Sequence, residues 1–338
     1  MLARTTPAVL FFSLLALMTA RSLQAQTPRP LQVRVALSTA TPHMTPLWVA
    51  RERKIFAKYG LDVQLIFVSG GALVTQMLAA GEIQIAATAP ASLVSLIAGG
   101  EKIILFLGIS NTSPFTLVAQ PNIKKAADLK GKKLGTARFG GSSHTSALIA
   151  LEYLGLNLKR DNITIIQSGL DPERMAALEQ KGIDAAMLQR LATRIMVNKG
   201  YLPLFNLHQA KIPYQNTVLA AKKDFITAQP KVVDNFTRAV LEGYGYLFNK
   251  ENKQAVKEVI SKNLRLSNVE AAEEFYLEAL EEMEKKPYPS VEGTRIVIKY
   301  VAERNPKVAF LKAEELIDSS WLKNLDDEGF FDKVYSRR

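Results

Sequence analysis

The sequence predicts an α/β protein: two lobes of similar plan, each a mainly parallel sheet flanked by helices, with a helical C-terminal tail. Three observations predict it. Short strand patterns alternate with helical ones through brief joints, the signature of parallel strands covered by helices. The alternation breaks at "SNTSPF" (110–115) and then restarts. The phrase "helix, glycine, Ile-x-x-Ala" occurs twice, around Ile83 and Ile183. With 338 residues and 48% hydrophobic content, the chain can bury the cores that two lobes require.

The elements follow in order. "LQVRVALS" (31–38) alternates apolar and polar residues as a strand does. "PLWVARERKIFAKYG" reads as one helix, with Gly60 suited to its C-terminal cap. "LDVQLIFV" (61–68) is a strand, "ALVTQMLAAG" a helix closed by Gly81, and "IQIAAT" (83–88) a strand. "PASLVSLIAGG" places Pro90 in a helix's first turn, and "KIILFLGIS" (102–110) completes the block. After the break come the strand "KKLGTAR" (132–138), the helix "SSHTSALIALEYLG" and the strand "NITIIQS" (162–168). The helix "PERMAALEQKG" and the strand "IDAAML" (183–188) close the second series, and "YQNTVLAAKKDFI" (214–226) returns to the first. Lobe 1 is therefore expected at 31–112 and 218–338, with lobe 2 inserted at 113–217. The segments beyond 230 are amphipathic, with charge runs such as Glu281–Glu282 and Lys285–Lys286 expected on solvated helix faces.

Residues 1–25 read as a cleaved signal peptide. Arg4 precedes the apolar run "AVLFFSLLALM" (8–18), and "SLQA" offers small residues before cleavage at Ala25, with Ala20 as second choice. The run is short for a membrane span. With 0 cysteines, disulfides, thiolate metal sites, a cysteine nucleophile and a lipid-modified cysteine are all excluded. An exported, cysteine-free chain fits the bacterial periplasm. The net charge is +11, but basic and acidic residues intermingle, as in "RERKIFAKYG", without a basic tract or a basic–aromatic platform. Nucleic-acid binding is not expected. The chain is expected to be a monomer.

"GTARFGGSSH" (135–144) poses the main chemical question. A nucleophile elbow requires G-x-S-x-G, and His144 stands where its last glycine belongs. Neighbours on a helix point about 100° apart, so His144 cannot serve Ser143. Gly135 and Gly140 have phosphate-loop spacing, but Gly141 stands where that loop needs lysine. What remains is a tight turn and free backbone N–H groups at a helix start, suited to an anion, with adjustable hydroxyls. Ser142 or Ser143 equally serves as a plain helix cap. His43, His144 and His208 are far apart in sequence, none at ligand spacing, so no metal site and no cofactor is expected. No paired catalytic carboxylates are identifiable, and Asp184 reads as a hinge or core-edge group.

The loops after the strands are more informative as a set. "TATPHMTPLW" (39–48), "SGGALV" (69–74), "TAPASL" (88–93), "SNTSP" (110–114) and "RFGGSSH" (138–144) all combine small residues, hydroxyls and a helix start or crossing. In open α/β sheets that edge binds ligands.

In "PLWVARERKIFAKYGLDVQLIFVSGG", "AAGEIQIAATAPASLV", "DLKGKKLGTARFGGSSH" and "KGIDAAML", in that order, the chain resembles the type II periplasmic substrate-binding proteins of ABC importers. The group is the nitrate, sulfonate, taurine and thiamine-precursor one, and the likeness covers most of residues 31–225. The resemblance implies the two-lobe type II fold, closing on a small anionic or polar organic molecule and delivering it to an inner-membrane permease without catalysis. It implies binding positions at His43, Met44 and Thr45, at Ser69, Gly70 and Gly71, and at Ala89, Pro90 and Ser92. In the second lobe it implies Gly140, Gly141, Ser142, Ser143 and His144. Ser110 and Asn111, from the loop pattern, and Gln189, where "QRLAT" departs from the family's usual acidic or aromatic residue and proline, complete the expected site. Trp48 is set aside as core. The alternative is an enzyme of the same plan, of the thiamine-pyrimidine or menaquinone-pathway type; the absence of cysteine tells against the first and the signal peptide against the second.

Overall fold

The computed structural model describes residues 30–68 and 70–336, so the signal-peptide segment and Ser69 lie outside the described residues. In chain order the first series is β1 (Leu31–Leu37), α1 (Thr45–Glu52), α2 (Ile55–Lys58), β2 (Leu61–Phe67), α3 (Gly71–Ala79), β3 (Ile85–Thr88), α4 (Pro90–Ala98) and β4 (Ile103–Thr112). The second is β5 (Thr116–Ala119), β6 (Lys133–Thr136), α5 (Ser142–Tyr153), β7 (Thr164–Gln167), α6 (Asp171–Glu179), β8 (Ala185–Leu188), α7 (Arg190–Asn198) and β9 (Leu202–Asn206). β10 (Pro213–Lys222) leads to α8 (Lys223–Ala228), α9 (Pro230–Phe248), α10 (Lys253–Leu264) and α11 (Glu273–Glu282). The chain ends with α12 (Val291–Ala302), α13 (Ala313–Leu316), α14 (Ser320–Asp327) and α15 (Phe330–Tyr335).

The strands form two five-stranded sheets, ordered β2-β1-β3-β10-β4 and β7-β6-β8-β5-β9. In the first, β1 runs parallel to β2 and β3, while β10 is antiparallel to β3 and β4. The second repeats the plan, with β5 antiparallel to β8 and β9. Each sheet is thus mixed, with one reversed strand, and those two strands border the crossings between the sheets. Both sheets belong to one compact unit beginning at Leu31.

Local differences from the sequence reading have physical causes. The helix expected over 46–60 breaks after Glu52, where Lys54 takes a left-handed φ of 57°. β5 lies between the break at 110–115 and the strand expected at 132–138, where the sequence predicts no strand. β9 contains Pro203, which cannot donate to a ladder and suits the sheet-edge position that β9 occupies. α9 buries Val233, Phe236, Val240 and Leu247 along one stripe, packed against α1. Burying each such side chain contributes about 1.5–3 kcal/mol relative to exposure, which fixes the tail to the first sheet. Among the described residues no helix is long and apolar enough to cross a membrane.

Candidate functional site

The C-terminal ends of β1, β2 and β3 face those of β6, β7 and β8 across a cavity of ≈ 380 Å³. The first sheet supplies Ser38, Thr39 and Thr41, Gly70 and Gly71, and Thr88, Ala89 and Ser92, with Asn216 and Thr217 from β10. The second supplies Ala137 and Arg138, Gly141 to Ser143, Gly169 to Leu170, Glu173, Arg174 and Gln189. Pro114 and Phe115 line it from the crossing. This volume lies in the range of pockets for small organic ligands.

Arg174 is the unusual wall residue. It sits in the first turn of α6, where the positive end of the helix dipole disfavours a cation, and is only 2% exposed. Its Nη2 donates to Asp171, its Nη1 donates to the Gly169 carbonyl at 3.2 Å, and its guanidinium stands 5.9 Å from the Phe115 ring centre. Its Nε has no hydrogen-bond partner among the described residues, and neither does Oγ1 of the fully buried Thr88. Buried polar atoms without partners are rare, and the residues that carry these two line one cavity from opposite sheets. Gly71 keeps room beside Thr88. A Cβ there would stand 2.1 Å from Ser92 Oγ and 3.0 Å from Thr88 Oγ1.

The β6–α5 turn is built from its own side chains. Gly140 takes φ 79°, and Ser143 Oγ accepts a hydrogen bond from the Ala137 N–H at 2.9 Å. Ser143 therefore fastens the turn while Ser142 and Gly141 also present it to the cavity.

The expected residues divide accordingly. His43, Gly70, Gly71, Ala89, Ser92, Gly141, Ser142, Ser143 and Gln189 line the cavity. Met44, Thr45 and Pro90 do not: all three are buried in the helix starts behind it, and Thr45 Oγ1 is spent on the Pro42 carbonyl at 2.6 Å. Ser110 and Asn111 do not either, because β4 runs on to Thr112 and carries them into the sheet. Asn111 Nδ2 donates to the Tyr288 carbonyl at 2.9 Å. Gly140 only turns the chain. His144 points the other way, edge-on to Phe139 at 5.4 Å between ring centres, and burial together with the charge of Arg304 pushes its pKa down to about 4. Trp48 is core. Asp184 accepts from the Lys133 N–H at 2.8 Å, a tie between strands. Arg174 lies outside the residues expected from the sequence, although "SGLDPER" has the same small-residue, helix-start character as the five strand-end loops.

A second cluster adjoins the cavity. His43 Nε2 lies 3.0 Å from Glu282 Oε2, both buried, and Glu278, one helical turn back on α11, is buried beside them. Burial alone would lower the His43 pKa, but the hydrogen bond and charge of Glu282 and the charge of Glu278 outweigh it and raise it. Burial lifts the Glu278 pKa to about 7, against the pull of His43. Glu282 is thus no solvated helix face: α11 turns it inward, while its neighbour Glu281 stays exposed and pairs with Arg190. That pair and Arg194–Glu274 join α7 beside the second sheet to α11.

A family model described as NMT1/THI5 like matches residues 41–254. A curated protein of Brucella abortus, named as a binding protein, is 28% identical over 228 residues, 67% of this chain; the match spans 61% of that relative's length. The periplasmic aliphatic sulphonate binding protein SsuA of Escherichia coli superposes with a TM-score of 0.66 at 16% identity, covering 82% of this chain and 94% of that one. The periplasmic nitrate-binding protein NrtA of Synechocystis PCC 6803 gives 0.58 at 16% identity, covering 85% and 91%. These likenesses show the fold: two sheets flanked by helices, as in periplasmic binding proteins.

Proposed function

The chain belongs to the NMT1/THI5-like family, and from that premise we propose that it is an exported solute-binding protein of an ABC importer. It captures a small organic anion between two lobes, 31–112 with 218–338 and 113–217, and delivers it to an inner-membrane permease. One observation carries the reading: Arg174 and Thr88, each with a buried polar atom that has no hydrogen-bond partner among the described residues, line the same cavity from opposite sheets. A ligand that satisfies both is bound only while the lobes are together, and that differential affinity is what drives closure. The N–H groups at the start of α5 and the Ser92, Ser142 and Thr217 hydroxyls add neutral donors for the anion's oxygens. Relatives of this fold are named for sulphonate and nitrate, both oxoanions, which supports the anionic class. The basic leader and apolar run of residues 4–18 support export to the periplasm.

A second reading, an enzyme of the same fold, is favoured by the His43–Glu282 pair at the cavity wall. No cavity-lining hydroxyl is hydrogen-bonded to His43 among the described residues, and capture without chemistry is the reading adopted. The test is a thermal-shift panel of alkanesulfonates, short carboxylates, nitrate and neutral analogues. At least one organic anion should stabilise the wild type, and replacing Ser142 and Gly141 with bulky apolar residues should abolish the shift while leaving a folded protein. Equal stabilisation of that variant would remove the turn from the site.

A further inference from the structure

We propose that His43, Glu278 and Glu282 form a binding site for a divalent cation of the zinc type at the wall of the cavity. The three donor groups come from the turn after β1 and from one face of α11, four residues apart on the helix, and are 2%, 4% and 7% exposed. Their donor atoms all lie within 4.8 Å of one another, and His43 Nε2 and Glu282 Oε2 are 3.0 Å apart. Two ligands held about 2.0–2.2 Å from one tetrahedral ion stand about 3.3 Å apart. The imidazole and Glu282 already have nearly that spacing, and Glu278 reaches it by a side-chain shift of at most about 1.5 Å.

Charge and hydrogen bonding favour the same conclusion. One imidazole faces two carboxylates in a largely buried place, and it is hydrogen-bonded to Glu282. Two carboxylates beside one imidazole leave an excess of negative charge, which a cation offsets. Arg190 on α7 contributes positive charge near Glu278 but is itself paired with Glu281, and Asp171 on α6 adds further negative charge. One imidazole with two carboxylates is a donor set for a borderline divalent ion, and three protein ligands leave a position for a further oxygen. Access exists from both sides. His43 lines the ≈ 380 Å³ cavity, and Glu278 lines a second one of ≈ 440 Å³ between α6, α7 and α11.

The inference does not depend on the anion reading, because metal binding is measured directly. Protein stripped with EDTA and titrated calorimetrically with Zn²⁺ should bind one equivalent. Glu278→Gln and His43→Gln should each weaken that binding by more than ~100-fold, beyond the loss expected for a merely outer hydrogen-bond partner. Thermal unfolding without metal establishes that both variants fold. Should either fail to fold, Co²⁺ added to the wild type decides: intense visible d–d bands of a low-coordinate site support the proposal, and the weak spectrum of the hydrated ion overturns it. Absence of Zn²⁺ binding by the wild type, or equal binding by both folded variants, also overturns it.

Discussion

Replacing Arg174 by Met separates a ligand-holding cation from a structural strut. Met has similar reach and no charge, so the change removes the desolvation cost of a cation that is 2% exposed, several kcal/mol in magnitude. It also removes the bonds to Asp171 and the Gly169 carbonyl, each worth about 1.5–3 kcal/mol when one group is charged, and a desolvated ring contact worth about 2 kcal/mol. Asp171 keeps 22% side-chain exposure and can return to water, so its loss of partner is softened. These contributions offset, and the ligand-free protein should change stability by no more than ~2 kcal/mol in either direction. Anion binding behaves differently. A buried charge pair lost on one side costs about 2–5 kcal/mol, and at 1.4 kcal/mol per tenfold the affinity should fall at least ~30-fold. Urea unfolding with and without the stabilising anion measures both quantities. A ligand-free loss above ~3–5 kcal/mol with the anion's effect intact would show that Arg174 is a strut, and the reasoning would fail.

Other perturbations test neighbouring parts. Gly71→Ala places a methyl group 2.1 Å from Ser92 Oγ and 2.9 Å from its Cβ, so Ser92 must both rotate and shift. A cost of about 1–3 kcal/mol and weaker anion binding should appear in calorimetry, and unchanged affinity would exclude Ser92 from the site. His144 has a folded pKa of about 4 against a usual 6.5, depressed by burial and by Arg304. Its contribution is present above pH 6.5 and lost as pH falls towards 4, so the stability advantage of wild type over His144→Gln should shrink across that window. Parallel urea midpoints would contradict this. Reversing Arg190 and Arg194 to Glu sets like charges against Glu281 and Glu274, so the radius of gyration in X-ray scattering should rise. Adding Glu274→Arg and Glu281→Arg should restore it; no change in either variant would mean that these exposed pairs do not hold the halves together.

Much of the fold was readable because its signals are local. Gly60, Gly81 and Gly155 end elements where the chain needs a left-handed residue, and Pro90 begins α4 where a missing N–H costs nothing. β5 and β9 were not readable from periodicity: both are short, and Pro203 interrupts the ladder pattern in the second. Of the site, the backbone loops were legible, since small residues before a helix mark the ligand edge of such sheets. The directions of their side chains were not. Ser142 faces the cavity while His144, two residues on, faces Phe139 and Arg304, a rotation that depends on how α5 packs. The His43–Glu282 contact joins residues 239 apart, beyond the reach of spacing rules, and α11 reads as a solvated acidic helix until its inward face is seen.

Native mass spectrometry on purified protein, exposed to a pool of small organic anions and re-isolated, tests most directly whether the cleft captures a ligand without altering it. The wild type should carry one chemically unchanged anion per chain, and Arg174→Met should carry far less, in keeping with an affinity at least ~30-fold weaker. A converted product released into solution, or equal loading of both proteins, would contradict capture in this cleft.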